Sequence, residues 1–187
     1  GQQLDMAMVD CIMAVLENAV VRYTATENVP QRMGSRHPAI TPFDVFKSRD
    51  GYVVIGVGND RLWQAFCTAA PELAALSDDP RFASNELRTD NEAALKPLIE
   101  AWTQRLTSAE VDAIVSAIGV PSSPVNSVED IVKDPNTLHR KMLFEFEHPI
   151  AGTMTVANNP LSFSETPCKQ HQGVPTLGQH TEKVLTE

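Results

Sequence analysis

The residues able to do chemistry concentrate in one stretch, "RMGSRHPAITPFDVFKSRDGYVVIGVGND", residues 32 to 60. Arg32, Arg36, His37, Lys47 and Arg49 form the one local basic cluster of an acidic chain. An anionic ligand is expected there if anywhere. Ordinary surface charge, partly satisfied by the interleaved Asp44 and Asp50, is the competing reading. Elsewhere the reactive residues are scattered. The histidines, at 37, 139, 148, 171 and 180, never take the i, i+4 spacing of a helical metal pair. Cys11, Cys67 and Cys168 lie far apart with no C-x-x-C spacing. No metal site is expected, and Cys11 and Cys67 read as small core residues on apolar helix faces.

Three familiar chemistries are excluded by motif and spacing. Gly56-Val57-Gly58 follows an apolar run and precedes a helix, but a dinucleotide-binding fingerprint then needs glycine where the chain has Arg61. Neither a G-x-S-x-G elbow nor a phosphate loop is present. Composition restricts the partners further. With 187 residues, 42% hydrophobic, the chain builds one sizeable core or two small lobes. A formal charge of −9 repels a duplex or an anionic membrane over most of the surface, so nucleic acid is not expected as a partner. No apolar run approaches the ~20 residues of a membrane span, and no signal segment opens the chain. A soluble cytoplasmic protein is expected. A periodic helix only a few residues after Gly1 is expected of a fragment.

The elements that must position the stretch follow from periodicity. Met8, Cys11, Ile12, Val15, Leu16, Val20 and Tyr23 recur at helical steps and predict one helix over 5–23 with a broad buried face. "TATENVPQRMGSRHPAITP" has no period and reads as a long connection, a length often functional. "FDVFKSRDGYVVIGVG" predicts a hairpin turning at Asp50-Gly51, its second strand buried on both faces. Asn59 or Asp60 then caps a helix presenting Leu62, Trp63, Phe66, Cys67 and Ala70. A further helix is expected over about 91–106, kinked or delayed by Pro97. Thr107 and Glu110 form a capping box before a helix that Gly119 ends. "VPSSPVNS" reads as a linker, a short helix runs from Val128 to Asp134-Pro135, and "MLFEFEHP", "GTMTVANNP" and "LSFSE" predict strands in an otherwise irregular tail.

Taken in order, "GQQLDMAMVD", "HPAITPFDVFKSRDGYVVIGVGND", "DDPRF", "LRTDN", "GVPSSPV", "KDPNTL", "EHPIAGT", "NNPLSFSETP" and "PTLGQHT" resemble the C-terminal half of the family III CoA-transferases, which include formyl-CoA transferase, carnitine CoA-transferases and methylacyl-CoA racemases. The resemblance implies an α+β fold: residues 1–30 as a helix and linker of a large Rossmann-like domain, 31–130 as a small α/β domain, and 131–187 as a return to the large domain. It implies an interlocked homodimer acting on acyl-CoA and carboxylic acid substrates, with coenzyme A as substrate and no separate cofactor. In such transferases an aspartate attacks the thioester; its counterpart falls upstream of "GQQLDMAMVD", so no catalytic residue is assigned here and the isolated chain is expected to be inactive.

By the same resemblance the "MGSRHP" segment matches a glycine-rich loop that closes over the reacting carboxylate. Gly34, Ser35, Arg36 and His37 are therefore expected at the substrate, with N–H groups near Gly34 and Ser35 facing an oxyanion. Met8 matches a methionine against the substrate end of the CoA arm, although a core methionine is equally consistent with its helical stripe. Asn59 stands where related racemases carry a proton-transferring glutamate, and an amide cannot exchange a proton as a carboxylate does. This favours acyl transfer over racemisation. The alternatives are a racemase or isomerase of the same family and a catalytically silent dimerisation module.

Overall fold

A computed structural model describes residues 1–166 and 173–187, so Cys168 and His171 lie outside the described residues. The architecture is α+β. The chain forms two compact units, Gly1–Val125 and Asn126–Glu187.

The first unit opens with two helices, α1 (Met8–Val15) and α2 (Glu17–Thr26). One helix over 5–23 was expected; the chain breaks at Leu16, whose ψ of 18° departs from helical geometry. The expected burial of the stripe is corrected too. Ile12 is 65% exposed and Met8 88%, because no other element of the unit covers them. Cys11 is accordingly exposed, whereas Cys67 is in the core as expected.

Strands β1 (Phe43–Lys47) and β2 (Tyr52–Gly56) form the expected hairpin, closed by Ser48 N–H donating to the Gly51 carbonyl at 3.0 Å. β2 is central, because β3 (Ser122–Pro124) pairs along its other edge, Ile55 facing Ser122 and Val53 facing Pro124. The supposed linker thus contains an edge strand, a place where Pro124 costs no ladder bond. Alternation buries Val53 and Ile55 on one face but leaves Val54 only half-buried on the other, so β2 is not covered on both faces.

The buried face carries α3 (Asp60–Cys67), α4 (Pro71–Ser77), a 3-10 turn (Pro80–Phe82), α5 (Asn85–Asp90), α6 (Glu92–Thr103) and α7 (Ser108–Ala117). Asn59 Oδ1 caps α3 by accepting from Leu62 N–H at 2.9 Å. α3 ends at Cys67, and Ala70 begins α4 instead of extending the α3 face. α6 runs through Pro97, beginning only five residues before it at Glu92. Thr107 and Glu110 make the expected capping box, and Gly119, at φ 78°, follows α7 as a left-handed residue that glycine adopts without strain. Trp63, Phe66, Phe82 and Trp102 pack edge-on or tilted at 6.1–6.5 Å between neighbouring centroids, joining α3, the 3-10 turn and α6 over Phe46 and Ile55.

The second unit holds α8 (Val128–Ile131), α9 (Pro135–His139), a hairpin of β4 (Leu143–His148) with β5 (Gly152–Ala157), and α10 (Thr181–Thr186). The short helix expected from Val128 to Asp134-Pro135 is α8, which ends already at Ile131; a second helix, α9, begins at Pro135, where the expected one stopped, and the two are capped by Ser127 and Asp134. β4 and β5 form the predicted strands, although every residue of β5 is exposed, while "LSFSE" is irregular and the tail closes as a helix.

Candidate active-site loop

The connection from α2 to β1 is fixed at its stem by residues distant in sequence. Asn85, on α5, donates from Nδ2 to the Ala39 carbonyl at 2.7 Å and accepts from Thr41 N–H at 3.0 Å. Arg88, fully buried, donates to the carbonyls of Thr41 at 2.7 Å and Phe82 at 3.0 Å and to Asp60 at 2.6 Å, its guanidinium lying 4.9 Å over the Trp63 ring. Buried arginine is tolerable only when its donors are used in this way. Val57 N–H completes the anchorage by donating to the Pro42 carbonyl at 2.8 Å.

The tip, residues 33 to 37, is held far more lightly. Gly34 turns the chain at φ 70°; a Cβ there would meet nothing within 4 Å, so the requirement for glycine is conformational and not spatial. Ser35 Oγ donates to Asp44 Oδ1 at 2.6 Å, His37 N–H donates to the Phe43 carbonyl at 2.8 Å, and the His37 ring stacks on Phe43 with centroids 5.5 Å apart. His37 Nδ1 accepts from Ala39 N–H at 3.1 Å, which places the proton of a neutral ring on Nε2. Among the described residues no acceptor faces the N–H groups of Gly34 and Ser35. The tip therefore presents unsatisfied donors on a turn secured to the sheet by one side-chain bond and one backbone bond.

Asp44 is the anchor for that side-chain bond. Its Oδ1 also accepts from Val45 N–H at 2.7 Å, and Lys96 Nζ, which lies 5.5 Å from the Phe46 ring centre, donates to Oδ2. Burial pushes the carboxyl up, but the hydrogen bonds from Lys96, Ser35 and Val45 outweigh it and hold it below the usual aspartate value. Asp44 thus pairs with Lys96 and not with the cations of its own segment. Asp50, likewise expected to neutralise them, accepts instead from Ser48 Oγ and Ser108 N–H.

Two clefts flank the stem. One, of about 270 Å³, lies between α1–α2 and the 30–38 connection and includes Arg22, Met33, His37 and Pro38 in its lining. The other, of about 400 Å³ and mostly apolar, opens on the uncovered sheet face beside Phe43, Val54 and Leu62. Gly34, Ser35, Arg36 and His37 share one turn above β1, half-buried or exposed and outside the hydrophobic core. Met8 begins α1 and Asn59 caps α3; neither lines either cleft. Lys96, Arg88 and Arg22 were not singled out from sequence, and Asp44 was named only as a counterion of the basic cluster. For Asp44 a signal existed: it stands two residues before Phe46 on a strand, hence on the buried face, where an acid needs a partner. Among the described residues no group of three or more His, Cys, Asp or Glu is arranged to hold a metal, and no helix is long and apolar enough to cross a membrane.

Residues 1–181 match the family model described as CoA-transferase family III. Over 187 residues the whole chain is 30% identical to a succinate–glutarate CoA-transferase of Agrobacterium fabrum, of which it covers 46%. It is 36% identical to an acetyl-CoA:oxalate CoA-transferase of Acetobacter aceti, covering 47% of it. A crystal structure of a CaiB/BaiF family protein from Brucella suis superposes on the whole chain with a TM-score of 0.78 at 32% identity, and the match covers 48% of that protein. The chain spans about half the length of the relatives it matches.

Proposed function

The chain belongs to CoA-transferase family III, and on that footing we propose that it supplies the lid loop and one wall of the cleft in an acyl-CoA:carboxylate CoA-transferase. The nucleophilic aspartate is assigned to the half of the relatives that this chain does not span. In the proposed cycle that carboxylate attacks the thioester carbonyl and expels CoA thiolate, leaving a mixed anhydride. Thiolate then attacks the aspartyl carbonyl, releasing the donor acid and leaving CoA on the enzyme as a thioester. The acceptor carboxylate attacks this thioester, expelling thiolate and forming a second anhydride, and thiolate then attacks its acyl carbonyl, releasing the new acyl-CoA and freeing the aspartate.

Each intermediate is an acyl group that water would hydrolyse. A cover over the reacting atoms is therefore part of the chemistry. The observation that carries this reading is the construction of the Gly34–His37 turn: a rigid stem, a lightly tied tip, and N–H donors at Gly34 and Ser35 without acceptors among the described residues. Such donors suit a developing oxyanion. The named substrates of the relatives, succinate with glutarate and acetyl-CoA with oxalate, point to dicarboxylic acids as the acceptor class for this protein too.

The test joins the chain behind the N-terminal half of the Agrobacterium relative and supplies succinyl-CoA with glutarate. Glutaryl-CoA is the expected product, and replacing Gly34 with valine should shift the outcome from transfer towards hydrolysis. Epimerisation of a 2-methylacyl-CoA without exchange between acids would contradict the assignment.

A further inference from the structure

We propose that the cleft between α1–α2 and the 30–38 connection binds the second, non-reacting carboxylate of a dicarboxylic acid, with Arg22 and His37 as the residues that recognise it. The inference rests on the transferase reading for its substrate class and on the geometry of this cleft for its residues.

At about 270 Å³ the space is smaller than the ~300–1,000 Å³ of drug-sized sites and suits a short chain. Its walls are mixed in a particular way. Val15, Leu16, Met33 and Pro38 give apolar sides for methylenes, and Arg22 and His37 give hydrogen-bond donors. Arg22 lies in the middle of α2, and among the described residues its guanidinium makes no ion pair. A guanidinium offers a planar fork matched to a carboxylate.

His37 is already oriented for the same task. Its ring is held against Phe43 and its Nδ1 is occupied by Ala39 N–H, so Nε2–H is the donor left over. Arg36, the neighbouring cation, lines a different recess beside Asp44 and Lys96 and does not compete. In a chain of net charge −9 an anion gathers only where a cation is not already neutralised. A monocarboxylic acid of equal length fills the same apolar walls but leaves this pair of donors to water, so the cleft separates the two classes by charge and not by size.

The experiment titrates the isotopically labelled 187-residue chain with glutarate and with pentanoate at equal ionic strength, following the Arg22 Nε–H and His37 ring resonances. Glutarate should shift both saturably and bind about fivefold more tightly than pentanoate, the discrimination one exposed ion pair supplies. R22Q should abolish the preference, R22K should retain part of it, and H37Q should weaken glutarate binding. Amide spectra check that each variant is folded. Equal response to the two acids, no response to either, or a preference that survives R22Q would overturn the proposal. Because the readout is binding, it fails separately from the transferase reading, which stands or falls on turnover.

Discussion

Asp44 accepts from Ser35, Val45 and Lys96 on a strand face shared with the buried Phe46. Its carboxyl is held below the ordinary value, so the unfolded chain takes up the proton first as pH falls. The stability it contributes is complete above the unfolded-state pKa of about 3.9 and is lost as pH drops through the lower folded value. Urea midpoints of the wild type measured from pH 6 downwards should fall in that acid window, and D44N should flatten the fall. Ser35 tests the tie to the tip. Its replacement by alanine removes one hydrogen bond of net worth about 1 kcal/mol and should raise local opening about fivefold. Trypsin cleavage after Arg32 and Arg36 reads this directly. Cys67 behaves oppositely to a reactive thiol: burial pushes it up to about 12. In a C11S/C168S background it should resist a disulfide reagent at pH 8 until the protein is unfolded.

At the scale of elements, the segments that carry the family resemblance have structural work in this chain. Asp79 in "DDPRF" caps the 3-10 turn by accepting from Arg81 N–H at 2.9 Å, while Phe82 supplies a carbonyl and a core ring. Arg88 in "LRTDN" ties that turn to the stem of the α2–β1 connection and to α3. Substituting Arg88 with methionine leaves the Thr41 and Phe82 carbonyls without donors and should cost about 2–4 kcal/mol by urea denaturation. Asp60 is largely exposed and rehydrates, so it adds little to that loss. The hairpin, the α3 cap and the α7 capping box were legible in sequence because each is a local signal, two to five residues long. β3 was not, since a three-residue edge strand exists only through its partner Val53–Ile55. α4 and α5, of seven and six residues, are too short to show a helical period. The Gly34–His37 loop was proposed as a site through resemblance, and the clamp of Asn85 and Arg88 beneath it could not be read from sequence, because it bridges more than 40 residues.

At the scale of the whole molecule, α1 has no buried residue, and its Val9, Ile12 and Met13 are exposed. The helical stripe was expected to be buried and is not, and an apolar face of that kind calls for a covering partner. On the proposed function, the half that the chain does not span supplies it. I12D should therefore lower concentration-dependent association of the isolated chain, measured by sedimentation, with no change in its urea midpoint. The same division of labour places the lid here and the attacking carboxylate elsewhere. It is tested most directly by mixing the chain with the separately produced N-terminal half of the Agrobacterium relative and succinyl-CoA, trapping the acylated enzyme with hydroxylamine, and mapping the modified residue by mass spectrometry. The account predicts a hydroxamate on an aspartate of the N-terminal half and none on residues 1–187. A hydroxamate on any carboxylate of this chain, or its formation by this chain alone, would contradict it.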